Sequence, residues 1–99
     1  MTGRVVVPLA GEIDLSVKDE IARQLDEGAA RAIDAGLDLY VDLGQVTFID
    51  STGLNAIVRT TTSLQAHERR LRLCAVPPTV LRLLELTGLC DLVDPEGRP

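Results

Sequence analysis

The sequence predicts an α/β fold, a small and mostly parallel four-stranded sheet packed with about three helices. Two observations carry that expectation. Apolar runs with strand character alternate along the chain with apolar residues recurring at three- and four-residue steps. Glycines fall where helices would end, at Gly36 and Gly88, and no internal repeat or low-complexity linker interrupts the alternation. At 99 residues the chain suits a single domain, 1–99, with a core over about 4–93 and a loose tail at 94–99.

Arg4 to Leu9 is short, apolar and β-branched, and reads as the first strand. Pro8 cannot donate to a ladder, which places this strand at an edge or a bulge. Gly11-Glu12-Ile13-Asp14-Leu15 leaves the strand, and Ser16 offers a cap with Asp19 at capping-box spacing. Val17, Ile21, Leu25, Ala29, Ala32 and Ile33 then trace one face of a helix that Gly36 stops. Leu37, Leu39, Val41 and Leu43 alternate with Asp38, Tyr40 and Asp42 as a second strand, and Val46 to Ile49 is a further short apolar stretch. Leu54, Ile57, Val58, Thr61 and Leu64 mark a second helix running to about His67. Leu71 to Val76 is a third strand, closed by Pro77-Pro78. Val80, Leu81 and Leu84 define a third helix ending at Gly88, and Leu89 to Val93 forms a fourth, short strand.

Composition narrows the function. Hydrophobic residues make up 45% and charged residues 25%, the balance of an ordinary globule. Ten Lys plus Arg against fifteen Asp plus Glu give a net charge of −5, a field that disfavours nucleic acid and anionic membranes. Tyr40 and Phe48 are the whole aromatic complement, which argues against base stacking. No apolar run approaches the roughly 20 residues of a membrane helix, so direct membrane insertion is not expected. The N-terminus does not read as a signal peptide. Cys74 and Cys90 lack CxxC spacing and read as free thiols in a reducing compartment, which makes the cytoplasm the expected location.

Enzyme chemistry finds little footing. His67, the single histidine, falls at the far end of the second helix from Ser51, about 24 Å away at 1.5 Å per residue, too far for a triad. Ser51 lacks a GxSxG elbow, and Lys18, the sole lysine, lies in no phosphate-binding loop. The expectation is a non-enzyme with no cofactor and no metal. The informative segment is Phe48-Ile49-Asp50-Ser51-Thr52-Gly53-Leu54, where a strand gives way to a helix. Capping explains one Asp, Ser or Thr there. It explains less well three in succession followed by glycine. The first-turn amides and the helix dipole would also tolerate an anion such as a phosphate on Ser51, and both readings stand.

Gly11-Glu12-Ile13-Asp14, Val41-Asp42-Leu43, Phe48 to Leu54, Cys74-Ala75-Val76-Pro77 and Leu86-Thr87-Gly88-Leu89 together resemble the STAS domain of bacterial anti-sigma factor antagonists. The resemblance spans about Arg4 to Val93 and implies a mechanism. The unmodified domain would bind an anti-sigma factor that is a serine kinase of ATPase fold, freeing a sigma factor. Phosphorylation of Ser51 would release the partner, and a metal-dependent serine phosphatase would restore binding. The resemblance marks Ser51 as phosphoacceptor and places Asp14, Asp50, Thr52, Gly53 and Leu54 at the partner surface. It also implies that the family's usual first strand and last helix are missing. That would expose the Arg4–Leu9 edge and apolar surface near Leu89 and Val93, to a partner or in a homodimer. Two other functions fit the same family: a constitutive STAS subunit of a lipid-transport ATPase, and a small-ligand-sensing STAS domain. Sequence features favour the switch over ligand sensing, because no basic or Gly-rich phosphate-binding motif is present.

Overall fold

A computed structural model describes residues 3–95. Three parallel strands, β1 (Val5–Ile13), β2 (Leu39–Ile49) and β3 (Leu71–Cys74), lie in the order β1-β2-β3. Helices α1 (Lys18–Ala35) and α2 (Ser51–Gln65) connect them, and α3 (Pro78–Thr87) follows β3. The alternation of strand and helix is thus as the sequence indicates, but the sheet has three strands among the described residues and not four. The segment expected as a fourth strand forms a 3-10 turn at Cys90–Leu92 and a single bridge from Val93 to Leu73. The Leu89 amide still closes the end of α3 on the Leu84 carbonyl, so the chain turns before it can extend. The expected tail over 94–99 starts differently as well. Asp94 is buried and its amide donates to the Leu73 carbonyl at 2.8 Å, while residues 96–99 lie outside the described residues.

The bounds of all three strands depart from expectation. β1 does not stop at Leu9; it continues through bulges between Pro8 and Ala10 and between Gly11 and Glu12. Gly11 adopts φ 77°, a left-handed conformation that glycine takes without strain, and this returns Ile13 to the core. The two apolar stretches 37–43 and 46–49 are one strand, with the Asp42 carboxylate accepting from the Gly44 amide at 2.8 Å where the alternation slips. β3 ends at Cys74 rather than Val76, because Ala75 turns to φ 54°. The second helix ends at Gln65, so His67 lies in the turn beyond it.

One face of the sheet holds the core. Val7, Leu9, Leu39, Val41, Leu43, Leu71 and Leu73 point to that face and are buried with Ile21, Leu25, Ile57 and Leu64 of the helices. The closest approach is at Gly28 of α1, where a Cβ would run into the Val7 Cγ2 and stand 3.1 Å from the Leu39 Cδ1. α1 therefore lies directly on β1 and β2. It ends at Gly36 (φ 67°), whose amide bonds the Ala32 and Ile33 carbonyls, and the Arg69 guanidinium clamps the Gly36 carbonyl at 2.6 Å.

Pro8 sits in the middle of an edge strand without breaking its ladder. The Val5 amide donates to the Asp38 carbonyl at 3.2 Å, so Val5 and Val7 turn their backbone groups toward β2. Alternation then turns Pro8 to the open edge, where the missing N–H removes no bond and denies a donor to an intruding strand.

Gly28→Ala tests how tightly α1 is seated. Alanine is a better helix former by about 1 kcal/mol, but the methyl group meets Val7, and overpacking costs ~1–3 kcal/mol. A net loss of stability in urea unfolding is expected, and equal or greater stability would show that the helix can lift away.

Candidate functional site

The C-terminal ends of β1 and β2 converge at one end of the sheet. There the Asp50 amide donates to the Ile13 carbonyl at 3.1 Å, tying the chain after β2 to the end of β1. Gly53, in the first turn of α2, packs into the gap behind this bond. A Cβ there would stand 2.7 Å from both Ile13 Cγ2 and Ile49 Cγ1, so only glycine fits without displacement. The two loops that carry Asp14 and Ser51 are thereby fixed side by side.

Each loop is capped by its own aspartate. Asp50 is the N-cap of α2, and its Oδ1 accepts from the Thr52 amide at 2.9 Å and the Gly53 amide at 3.3 Å. Asp14 plays the same part for the 3-10 turn Leu15–Val17, accepting from the Ser16 amide at 3.0 Å and the Ser16 hydroxyl at 2.5 Å. Ser16, expected as a helix cap, is instead the residue being capped, because Asp14 has the extended backbone that a cap requires. α1 begins only at Lys18, with Asp19 and Glu20 in its first turn where the helix dipole favours acids.

Ser51 occupies the first helical position of α2 and is exposed, with no hydrogen bond to its hydroxyl among the described residues. The cap is Asp50, so the serine side chain is spared that duty. Thr52 is half-buried beside Asp14 and Lys18 in a shallow crease that also includes Ile13 and Gly53. The resemblance puts Gly53 and Leu54 at a partner surface, yet both are buried and serve packing. The 3.6-residue period explains Leu54, which turns inward with Ile57 and Leu64. Two residues missed in the sequence stand out instead. Leu15, 68% exposed, follows Asp14, and Phe48, 51% exposed, lies three residues before Ser51. Their apolar character beside capping residues was the available signal.

The cysteines lie elsewhere. Cys90 is exposed, and Cys74 is buried at the end of β3. Burial, reinforced by the Asp42 and Asp94 carboxylates, pushes the Cys74 thiol up to about 11. Among the described residues, no group of three His, Cys, Asp or Glu is placed to hold a metal. Among those residues, too, no helix is long and apolar enough to cross a membrane.

Comparison with known proteins places this geometry in a family. Residues 2–98 match the STAS domain. The chain belongs to the STAS domain family. Its fold resembles the unphosphorylated anti-sigma factor antagonist SpoIIAA at 22% identity and a TM-score of 0.76, covering 95% of this chain and 80% of that one. The phosphorylated form of the Bacillus cell fate determinant SpoIIAA matches at 23% identity and 0.67, covering 95% and 83%. A sulfate transporter family protein from Wolinella succinogenes matches at 18% identity and 0.72, covering 99% and 79%. No curated protein matches the sequence. At these identities the likeness is one of fold, shared by STAS domains attached to different functions.

Replacing the α2 cap tests the local architecture. Asp50→Ala leaves the Thr52 and Gly53 amides without their acceptor and is expected to cost about 1 kcal/mol, while Asp50→Asn stays close to wild type. Chemical denaturation of both variants checks the pair, and an unaffected Asp50→Ala would show that the cap bonds contribute nothing. Thiol labelling checks the core at its other end. Cys74 is buried with its thiol pushed up, and Cys90 is exposed, so iodoacetamide should modify Cys90 much faster than Cys74 in the folded chain.

Proposed function

We propose that this STAS domain is a phospho-regulated binding module of the anti-sigma factor antagonist type, with no reaction of its own. In its unmodified form it binds an anti-sigma factor that is a serine kinase of ATPase fold, and so frees a sigma factor in the cytoplasm. Transfer of the ATP γ-phosphate to the Ser51 oxygen, with release of ADP and the hydroxyl proton, ends the complex. A serine phosphatase returns the domain to its binding form by hydrolysis.

The observation that carries this reading is the exposed Ser51 hydroxyl at the first position of α2, with its cap already supplied by Asp50 and the Asp14 loop fixed alongside. A kinase can reach that hydroxyl without unfolding the helix. The fold tolerates the product because the helix dipole favours an anion at this end. The docking surface does not. A phosphate adds about −1.5 to −2 charges beside Asp14 and Asp50, and like charge crowded into an interface costs several kcal/mol. That SpoIIAA, which shares the fold, occurs in unphosphorylated and phosphorylated forms supports the same assignment.

The partner surface in this reading consists of Asp14, Asp50 and Thr52, with Leu15 and Phe48 as apolar contacts on either side. Gly53 and Leu54 contribute indirectly, by holding α2 against β1 and β2.

Incubation with a cognate kinase and ATP is expected to add one phosphate, located at Ser51 by intact-mass and fragment analysis. Ser51→Ala should bind the kinase and resist release, and Ser51→Asp should bind at least tenfold more weakly. Phe48→Ser should also weaken binding by roughly 1 kcal/mol or more without loss of fold stability. Absence of the phosphate together with unchanged affinity of Ser51→Asp would end the proposal.

A further inference from the structure

Helices α1 and α2 cover one face of the sheet, and the opposite face carries charge in an ordered arrangement. The pairing register aligns Val6, Tyr40 and Arg72 across β1, β2 and β3, and aligns Pro8, Asp42 and Cys74 in the next row. The rows are two residues apart, about 7 Å along the strands. Arg4 joins the first row, its guanidinium 4.4 Å from the Tyr40 ring centroid. Asp94 flanks β3 where its amide meets the Leu73 carbonyl. Arg4, Tyr40, Arg72, Asp94 and Pro95 line a pocket of about 330 Å³.

The pocket is not neutral. Two guanidiniums face one carboxylate, and neither arginine forms an ion pair among the described residues, where such pairs are confined to Arg23 with Glu20 and Glu27. One further anion would balance it. Asp42 stands on the same face, one row away, likewise outside any ion pair among the described residues.

These positions make the face complementary to itself. A two-fold axis running across the strands, midway between the rows, lays the Tyr40 row of one molecule over the Asp42 row of another. Two identical contacts then form at once. An axis along the strands would set arginine against arginine. The alternative route to self-association, pairing through the β1 edge, is obstructed by Pro8.

We propose that this face docks a second copy of the chain, the Asp42 carboxylate of each copy entering the Arg4–Arg72 pocket of the other across Tyr40. Aromatic and arginine residues commonly anchor such interfaces. The dimer is independent of the role assigned to Ser51, which lies past the C-terminal end of β2.

Sedimentation equilibrium on the full chain, from micromolar to millimolar concentration, tests this directly. The expected result is a rise from monomer to twice the monomer mass, weakened at high salt because the contacts are ionic. Arg72→Asp and Asp42→Arg should each weaken the dimer roughly tenfold or more. Mixed in equal amounts they should recover it, since the carboxylate introduced in one variant then faces the guanidinium introduced in the other. Arg4→Glu, which lies before β1, weakens the dimer without touching the ladder, and circular dichroism checks that every variant is folded. A wild-type chain that stays monomeric throughout overturns the proposal, as does a dimer indifferent to both arginine changes or a mixture that fails to reassociate.

Discussion

The bond from the Asp50 amide to the Ile13 carbonyl, 3.1 Å long, ties together two loops that are 37 residues apart in sequence. A parallel sheet leaves neighbouring strand ends at the same edge, but the ladder itself does not fix the path of the loops beyond them. Here the chain after β2 stays in register with the end of β1 for one residue more. Gly53 then lets α2 rise close behind it, against Ile13 and Ile49. A residue with a side chain at position 53 would push the helix outward and separate Ser51 from the Asp14 loop. The geometry of the site is therefore a consequence of one backbone bond and one absent side chain.

Much of this was legible in the sequence because it depends on local chemistry. The helices announce themselves by apolar spacing, and their ends by Gly36 and Gly88, both of which take the left-handed cap conformation. The strand-to-helix switch at Asp50-Ser51-Thr52-Gly53 follows from residue types that favour caps. The features that were not legible depend on long-range pairing. Bulges let β1 pass Gly11 and reach Ile13, and a register slip of that kind leaves no periodic trace. Likewise the Leu89–Val93 stretch has strand-like residues, but its pairing with β3 is limited to one bridge by the turn that closes α3.

The division of labour within Asp50-Ser51-Thr52-Gly53 shows why residue types alone left two readings open. Asp50 takes the cap, Gly53 takes the close packing and Thr52 sits half-buried. Ser51 is the exposed member, and its hydroxyl has no hydrogen bond among the described residues. Capping thus accounts for the motif only up to that residue, and the position of the aspartate one step earlier is what releases the serine from it.

That arrangement also bears on how an added charge would be felt. At the first position of a helix, an anion gains from the dipole while its neighbours Asp50 and Asp14 oppose it at short range. Both carboxylates are already turned inward to the amides that they cap, so they cannot swing away to relieve the repulsion without uncapping their own turns. Under the proposed phosphorylation the loop would therefore keep its shape, and its surface potential would take the change. A domain that answered the same charge by unfolding its first turn would lose the partner and its own stability together. A rigid, pre-capped turn separates the two, which is the property that a reversible docking switch requires.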